Sequence, residues 1–203
     1  MDAVYALLQE RSVRDLTMEA VARRAGVGKP TLYKWWPSKA ALVFAMFHER
    51  LAGGDVAAGD VAARVPTASG ASGTASETAE AVIRERVRRL VREFNGVFGK
   101  VVADLIAEGQ SEPEVLRELY ERHVRQRRAA TAAEVERGKA AGEFAPDVDA
   151  ELAVDAIFGP LYYRRLLRHA PLTAAYGDAL VDQVLRGLRP AEHPGSLEPR
   201  EPT

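Results

Sequence analysis

The sequence predicts an all-α fold, with an N-terminal three-helix helix-turn-helix domain and a larger C-terminal helical domain. Three observations carry this. Strand-like alternation is absent, apolar residues recur in steps of three and four nearly everywhere, and residues 16–47 read as short helices around a tight glycine turn. The expected division is a helix-turn-helix domain over 1–51, a linker over 52–76, a helical body over 77–189 and a disordered tail over 190–203.

The elements follow in order. A first helix runs from the opening residues to about Glu10, with Val4, Leu7 and Leu8 on one face. Thr17 is the N-cap of the second, and Leu16 and Val21 stand at the positions of a hydrophobic staple. Gly26 ends that helix, because glycine adopts a left-handed cap at little cost. The third helix starts at Gly28 or Lys29, with Pro30 in its first turn, where no N–H partner is lost. Ser38 caps a fourth, running through Phe47 to about Leu51. Residues 52–76 are rich in Gly, Ala and Ser and contain Pro66, a linker composition. Ile83, Val87, Leu90, Val91, Phe94 and Phe98 then form one helical stripe, and a shorter helix over about 100–109 carries Val102, Leu105 and Ile106. Ser111 and Glu114 have the spacing of a capping box for a long helix reaching about Arg137. Gly138, Gly142, Pro146 and Asp147 mark a break before two last helices over about 149–169 and 174–188. Gly159-Pro160 lies inside the first of these, where a kink is expected. Four prolines follow residue 189, hence the disordered tail.

Charge separates the two halves. Residues 1–51 hold eight Lys or Arg against five Asp or Glu, whereas residues 52–203 hold 20 against 24. A basic head on an acidic body suits local contact with DNA without indiscriminate binding. There is no cysteine, which excludes disulfides, thiolate metal sites and cysteine nucleophiles. No apolar run approaches the roughly 20 residues of a membrane span, and no secretory leader precedes the first helix, so a cytoplasmic protein without membrane partners is expected.

The third helix has the chemistry of an element that enters a major groove. With Val27 and Leu32 turned to the core, Lys29, Thr31, Tyr33 and Lys34 fall on other faces. Lysine can donate to guanine O6 and N7, a threonine methyl can pack on thymine, and tyrosine can reach a phosphate or a thymine methyl. Thr17 and Lys39 stand at helix starts, where backbone N–H groups and a lysine charge favour phosphate. Trp35 is assigned to the DNA side and Trp36 to the core, one turn after Leu32, while Arg23 and Arg24 read as a solvated face.

Leu16-Thr17-Met18-Glu19-Ala20-Val21-Ala22 and Gly26-Val27-Gly28-Lys29-Pro30-Thr31-Leu32-Tyr33-Lys34-Trp35-Trp36-Pro37-Ser38-Lys39 together resemble the recognition segment of TetR/AcrR-type transcriptional regulators. The resemblance implies an all-helical homodimer whose C-terminal domain dimerises and holds a small effector. Carried onto this chain, it implies DNA contacts by Thr17, Lys29, Thr31, Tyr33, Lys34, Trp35 and Lys39. Members carry a short, often basic arm before the first helix, whereas here the helical pattern begins almost at Met1. Lost arm cations would flatten the salt dependence of DNA binding. Gly142-Glu143-Phe144-Ala145-Pro146-Asp147 and Phe158-Gly159-Pro160-Leu161-Tyr162-Tyr163-Arg164 resemble the body of an actinobacterial-style branch of that family, which implies architecture and no particular ligand.

In the body, Leu161, Leu166 and Leu167 on one late helix, with Leu180, Val181, Val184, Leu185 and Leu188 on the other, are expected to form an intersubunit four-helix bundle. An effector pocket is expected among Phe94, Phe98, Val102, Tyr120, His123, Phe158 and Tyr162, whose aromatic walls suit an apolar or aromatic ligand. For each of these residues singly, ordinary core packing is the competing assignment, and His123 is expected half exposed. Arg122, Arg125, Arg127 and Arg128 read as a solvated helix face.

Enzyme readings find little support. His48-Glu49-Arg50 opens like a zinc-protease motif, but Ala52 stands where the second histidine belongs. Histidines 48, 123, 169 and 193 lack ligand spacing, and no phosphate-binding glycine loop occurs. No metal, cofactor or catalytic constellation is expected. The expected function is a ligand-responsive transcriptional regulator, a repressor that binds a palindromic double-stranded operator as a homodimer and is released by a small molecule. The alternative is a helical ligand- or partner-binding protein with a vestigial DNA-binding domain.

Overall fold

The computed structural model describes residues 1–52 and 77–191. The expected linker and tail therefore lie almost wholly outside the described residues. All regular structure among the described residues is helical: α1 (Asp2–Glu10), α2 (Met18–Ala25), α3 (Lys29–Trp35), α4 (Lys39–Ala52), α5 (Ala79–Asn95), α6 (Val97–Gly109), α7 (Pro113–Leu119), a π-helical turn (Tyr120–Val124), α8 (Arg125–Ala140), α9 (Ala150–Leu167) and α10 (Ala174–Leu188).

Local chemistry sets the first four helices. The Thr17 hydroxyl accepts from Ala20 N at 3.1 Å and caps α2, and Leu16 and Val21 of the staple are both buried. Gly26 ends α2 at φ 67, a left-handed conformation that a Cβ would strain. Gly28 begins α3 and Pro30 sits in its first turn. Ser38 Oγ accepts from Ala41 N at 2.9 Å and caps α4. Val4, Leu7 and Leu8 of α1 join Val21, Leu32, Leu42, Val43 and Met46 in a small core that fixes the angle between α2 and α3.

In the body α5 is central, packed by α6, α8, α9 and α10. Its N-terminus is capped twice. Thr78 accepts from Ala81 N, and both carboxylate oxygens of Glu143, from the loop after α8, accept from Ala79 N and Glu80 N at 3.0 and 3.2 Å. An anion is favoured there by the helix dipole. Arg84 bridges Glu80 and Asp182, and Arg88 holds Asp178, which ties α5 to α10 along its exposed edge. The join of α5 and α6 is abrupt. A Cβ on Gly99 would lie 2.1 Å from Phe94 O, so only glycine lets α6 start this close to the end of α5.

Several expectations are corrected. The stripe through Phe98 is split at Gly96, so Phe98 belongs to α6. The capping box at Ser111 and Glu114 does not form: α7 begins one residue later, with Glu112 at its N-cap and no side-chain cap bond, and Glu114 pairs with Arg117. The long helix from residue 113 is interrupted by the π-helical turn and runs on to Ala140. Pro160 lies inside α9, as the expected helix over about 149–169 has it.

Candidate DNA interface and the cluster behind it

Helix α3 is seven residues long and buries only Leu32. Lys29, Thr31, Tyr33, Lys34 and Trp35 are exposed, Tyr33 at 47% and Trp35 at 67%. Two large aromatics this open beside two lysines are not explained by packing. Lys34 Nζ stands 5.9 Å from the Trp35 ring centroid and Lys29 Nζ 5.8 Å from that of Tyr33, so cations and rings share one surface. Lys29 also pairs with Glu19 of α2; their hydrogen bond lowers the Glu19 carboxyl and raises the Lys29 amine. Thr17 is exposed at the start of α2, Trp36 is half-buried against the core, and Arg23 and Arg24 lie in solvent. Val27 is not a core residue: it is 41% exposed, because it follows the left-handed Gly26 in the turn rather than lying on α3.

Lys39 is engaged by the body. Its Nζ lies 2.8 Å from Glu108 Oε1 near the end of α6, and Ser38 Oγ donates to Glu118 Oε2 of α7 at 3.3 Å. The start of α4, the expected phosphate seat, is therefore gripped by two carboxylates. Further bonds join α1 to α6: Lys100 Nζ donates to Leu8 O and Arg11 O at 3.0 and 2.7 Å, and Val13 N to Asp104 Oδ2 at 3.0 Å.

An aromatic chain begins at the same junction. Phe47 of α4 meets Phe98 edge-on at 5.0 Å, Phe98 stacks with Phe94 at 6.3 Å, and Phe94 meets Tyr162 edge-on at 4.9 Å. His123, carried by the π-helical turn, lies 4.6 Å from Phe98. Its Nε2 is buried without a partner. Burial, and then the charges of Arg127 and Arg89, push the His123 imidazole down to about 3, so it is neutral. Burial likewise raises the Tyr162 phenol. Beside them the buried Glu93 carboxylate holds Arg127 at 2.6 Å and Arg89 at 3.2 Å.

The structure thus brings together Phe94, Phe98, His123 and Tyr162 of the expected pocket, with Val102 buried and Phe158 half-buried against the same core. Tyr120 stays outside, 45% exposed. Phe47, Glu93, Arg89 and Arg127 were not anticipated. Arg127 is corrected from a solvated cation to the partner of a buried carboxylate, and Arg128 pairs with Glu151 and Asp155 of α9. Arg122 and Arg125 are exposed, as expected.

The late helices divide differently from expectation. Leu161, Val181 and Leu185 are buried within the single chain, and Leu180, Val184 and Leu188 pack partly against its core. Leu166 and Leu167 remain open, together with Leu152 and Tyr163 on the same helix.

A helix-turn-helix with a bare, cationic and aromatic second helix, braced against a helical body, defines a DNA-binding regulator. Residues 1–46 match the family described as bacterial regulatory proteins, tetR family, and residues 75–184 match the tetracyclin repressor-like C-terminal domain. The chain belongs to the TetR family of ligand-responsive, DNA-binding transcriptional regulators. It is 29% identical over 189 residues to an uncharacterized HTH-type transcriptional regulator of Bacillus subtilis, YdeS, covering 93% of this chain and 87% of that protein. The crystal structure of the TetR family transcription regulator SCO0332 is similar with a TM-score of 0.67 at 30% identity, covering 93% of this chain and 95% of that one. FadR from Bacillus subtilis in complex with stearoyl-CoA shares the fold, with a TM-score of 0.67 at 16% identity over 93% and 97% of the two chains. Among the described residues, no helix is long and apolar enough to cross a membrane.

Proposed function

We propose that this chain is a homodimeric repressor that binds a palindromic operator through paired α3 helices and is released by a small-molecule effector. The observation that carries the DNA reading is the bare face of α3, where six of seven side chains, Lys29, Pro30, Thr31, Tyr33, Lys34 and Trp35, lie open around one buried anchor, Leu32. Thr17 and Lys39 supply phosphate contacts at the starts of α2 and α4. Residues 1–51 are the reading unit and 77–189 the regulatory unit. Two copies related by a two-fold axis place the α3 helices about 34 Å apart, one turn of the duplex.

The effector site is the cluster of Phe94, Phe98, His123 and Tyr162. It touches α4 directly through Phe47, so a ligand that parts Phe98 from Phe47 moves the helix whose start carries Lys39. The effector shifts the operator affinity only as far as it prefers one arrangement. The stearoyl-CoA held by the Bacillus subtilis FadR structure is a precedent for a ligand with a long apolar part. Selection of bound fragments from random duplexes, followed by fluorescence anisotropy, tests the reading. A palindrome recovered, and weakened at least tenfold by Tyr33→Ala, is the expected result. Absence of duplex binding at low ionic strength would overturn it.

A further inference from the structure

At the far end of α9 the chain forms an open cleft of about 230 Å³, lined by Asn95, Arg164, Arg165, Arg168, Ala170, Pro171 and Leu172. Three guanidinium groups line it and no carboxylate does. Its walls are fixed by bonds to backbone carbonyls. Arg164 Nη1 donates to Pro171 O at 3.0 Å, Arg165 Nε to Gly99 O at 2.9 Å and Asn95 Nδ2 to Leu172 O at 2.8 Å. The Arg164 guanidinium is also stacked 3.4 Å over the Tyr176 ring, and its Nε is buried with no partner. The Arg168 side chain has no hydrogen bond or ion pair among the described residues, and Arg168 is the non-glycine residue there with a left-handed backbone, at φ 52. Glycine or asparagine is the usual occupant of that cap, so an arginine retained there is unfavourable for the fold alone. Burial lowers the Arg165 guanidinium, and the Arg168 charge lowers it further. The carboxylate that acts on Arg165 is Asp104, whose Oδ2 accepts from Val13 N.

We propose that this cleft is an oxyanion site that takes a phosphoryl group, held by Arg164, Arg165 and Arg168. Guanidinium forks match the oxygens of phosphate in pairs, and a dianion offsets more of three crowded cations than a carboxylate does. The cleft shares no lining residue with the α3 face or with the aromatic cluster, and the proposal holds whether or not either of those has the role given above.

The phosphoryl group can come from free phosphate or from a phosphorylated small molecule. Calorimetric titration and thermal melting of the full chain separate these, using inorganic phosphate, pyrophosphate and a phosphomonoester against chloride at equal ionic strength. Saturable binding of inorganic phosphate is expected, and tighter binding of either larger probe identifies the source as an extended ligand. Arg168→Gly is expected to melt higher than the parent protein without phosphate, because the left-handed cap is relieved, and to lose at least tenfold in phosphate affinity. Should that variant misfold, Arg168→Gln removes the charge and is expected to show the same loss. Lys34→Ala is expected to leave phosphate binding intact. Equal phosphate affinity in the parent and the Arg168 variants, loss confined to Lys34→Ala, or no saturable binding in the parent protein would each overturn the proposal.

Discussion

His123 shows how one residue acquires chemistry that its neighbours in sequence do not announce. The π-helical turn inserts an extra residue into the helical count, which rotates everything after it by about 100° relative to a regular helix. At this turn His123 lies against Phe98, and just beyond it Arg127 meets the buried Glu93 carboxylate. Below its ordinary value of 6.5, the imidazole is protonated in the unfolded chain but stays neutral in the folded one, down to about 3. Stability is therefore full above pH 6.5 and falls as pH drops through that window. Between pH 7 and pH 5 the loss from this group is about 2 kcal/mol. His123→Gln is expected to remove that difference, as measured by urea unfolding at the two pH values; equal slopes in variant and parent would contradict a buried neutral histidine. On the other face of the protein, Trp35→Ala is expected to change stability by less than about 0.5 kcal/mol while weakening operator binding, because the ring packs on little of its own chain. The caps at Thr17, Gly26 and Ser38 were legible because each is settled within four residues. His123, Arg127 and Glu93 were not, because their environment is made by α5, α6 and α9 meeting across the body.

At the scale of elements, α6 does most to connect the two halves. It begins against the end of α5, grips α1 through Lys100 and holds the start of α4 through Glu108. Gly99→Ala would drive a methyl into Phe94 O and displace this helix, with an expected loss of roughly 1–3 kcal/mol in chemical denaturation. The Lys39–Glu108 pair has a more specific consequence. An operator phosphate at the start of α4 must draw Lys39 away from a carboxylate held 2.8 Å from it. Glu108→Gln removes that competition, and operator binding is expected to tighten by about two- to fivefold, the value of a partly exposed ion pair. Lys39→Ala is expected to weaken binding and to lower the salt slope by about one. Unchanged affinity in both variants, measured at one salt concentration, would mean that Lys39 serves only to join the two halves. The helices themselves were largely legible, since heptad-like spacing and Gly or Pro punctuation locate most of their ends. The grip between α4 and α6 was not, because Lys39 and Glu108 lie 69 residues apart in sequence and each reads alone as a surface charge.

For the whole molecule, the question is which surface makes the two-fold pair. The apolar stripes of α9 and α10 were visible in the sequence, but a stripe does not say which of its edges belongs to the monomer. The structure assigns Leu161, Val181 and Leu185 to the core beside α5. What α9 leaves open is Leu152, Ala156, Gly159, Tyr163 and Leu166, alternating in steps of four and three, with the small residues at the middle and Leu152 68% exposed at one end. In the homodimer proposed above, that stripe is the expected seam, and two of them would complete a four-helix bundle with the two α10 helices. Gly159 is the place to test this. A Cβ there meets nothing within 4 Å outside its own helix backbone and chain neighbours, and the strain of a side chain ahead of Pro160 is offset by the lower entropic cost of replacing a helical glycine. Gly159→Glu is therefore expected to keep its helical content, checked by circular dichroism, while placing a pair of like charges at the two-fold axis. Sedimentation equilibrium should show a dimer for the parent protein and a monomer for the variant. Operator affinity should fall with it, because one α3 reads only one half-site. A variant that sediments as a dimer would move the subunit contact to another face of the body.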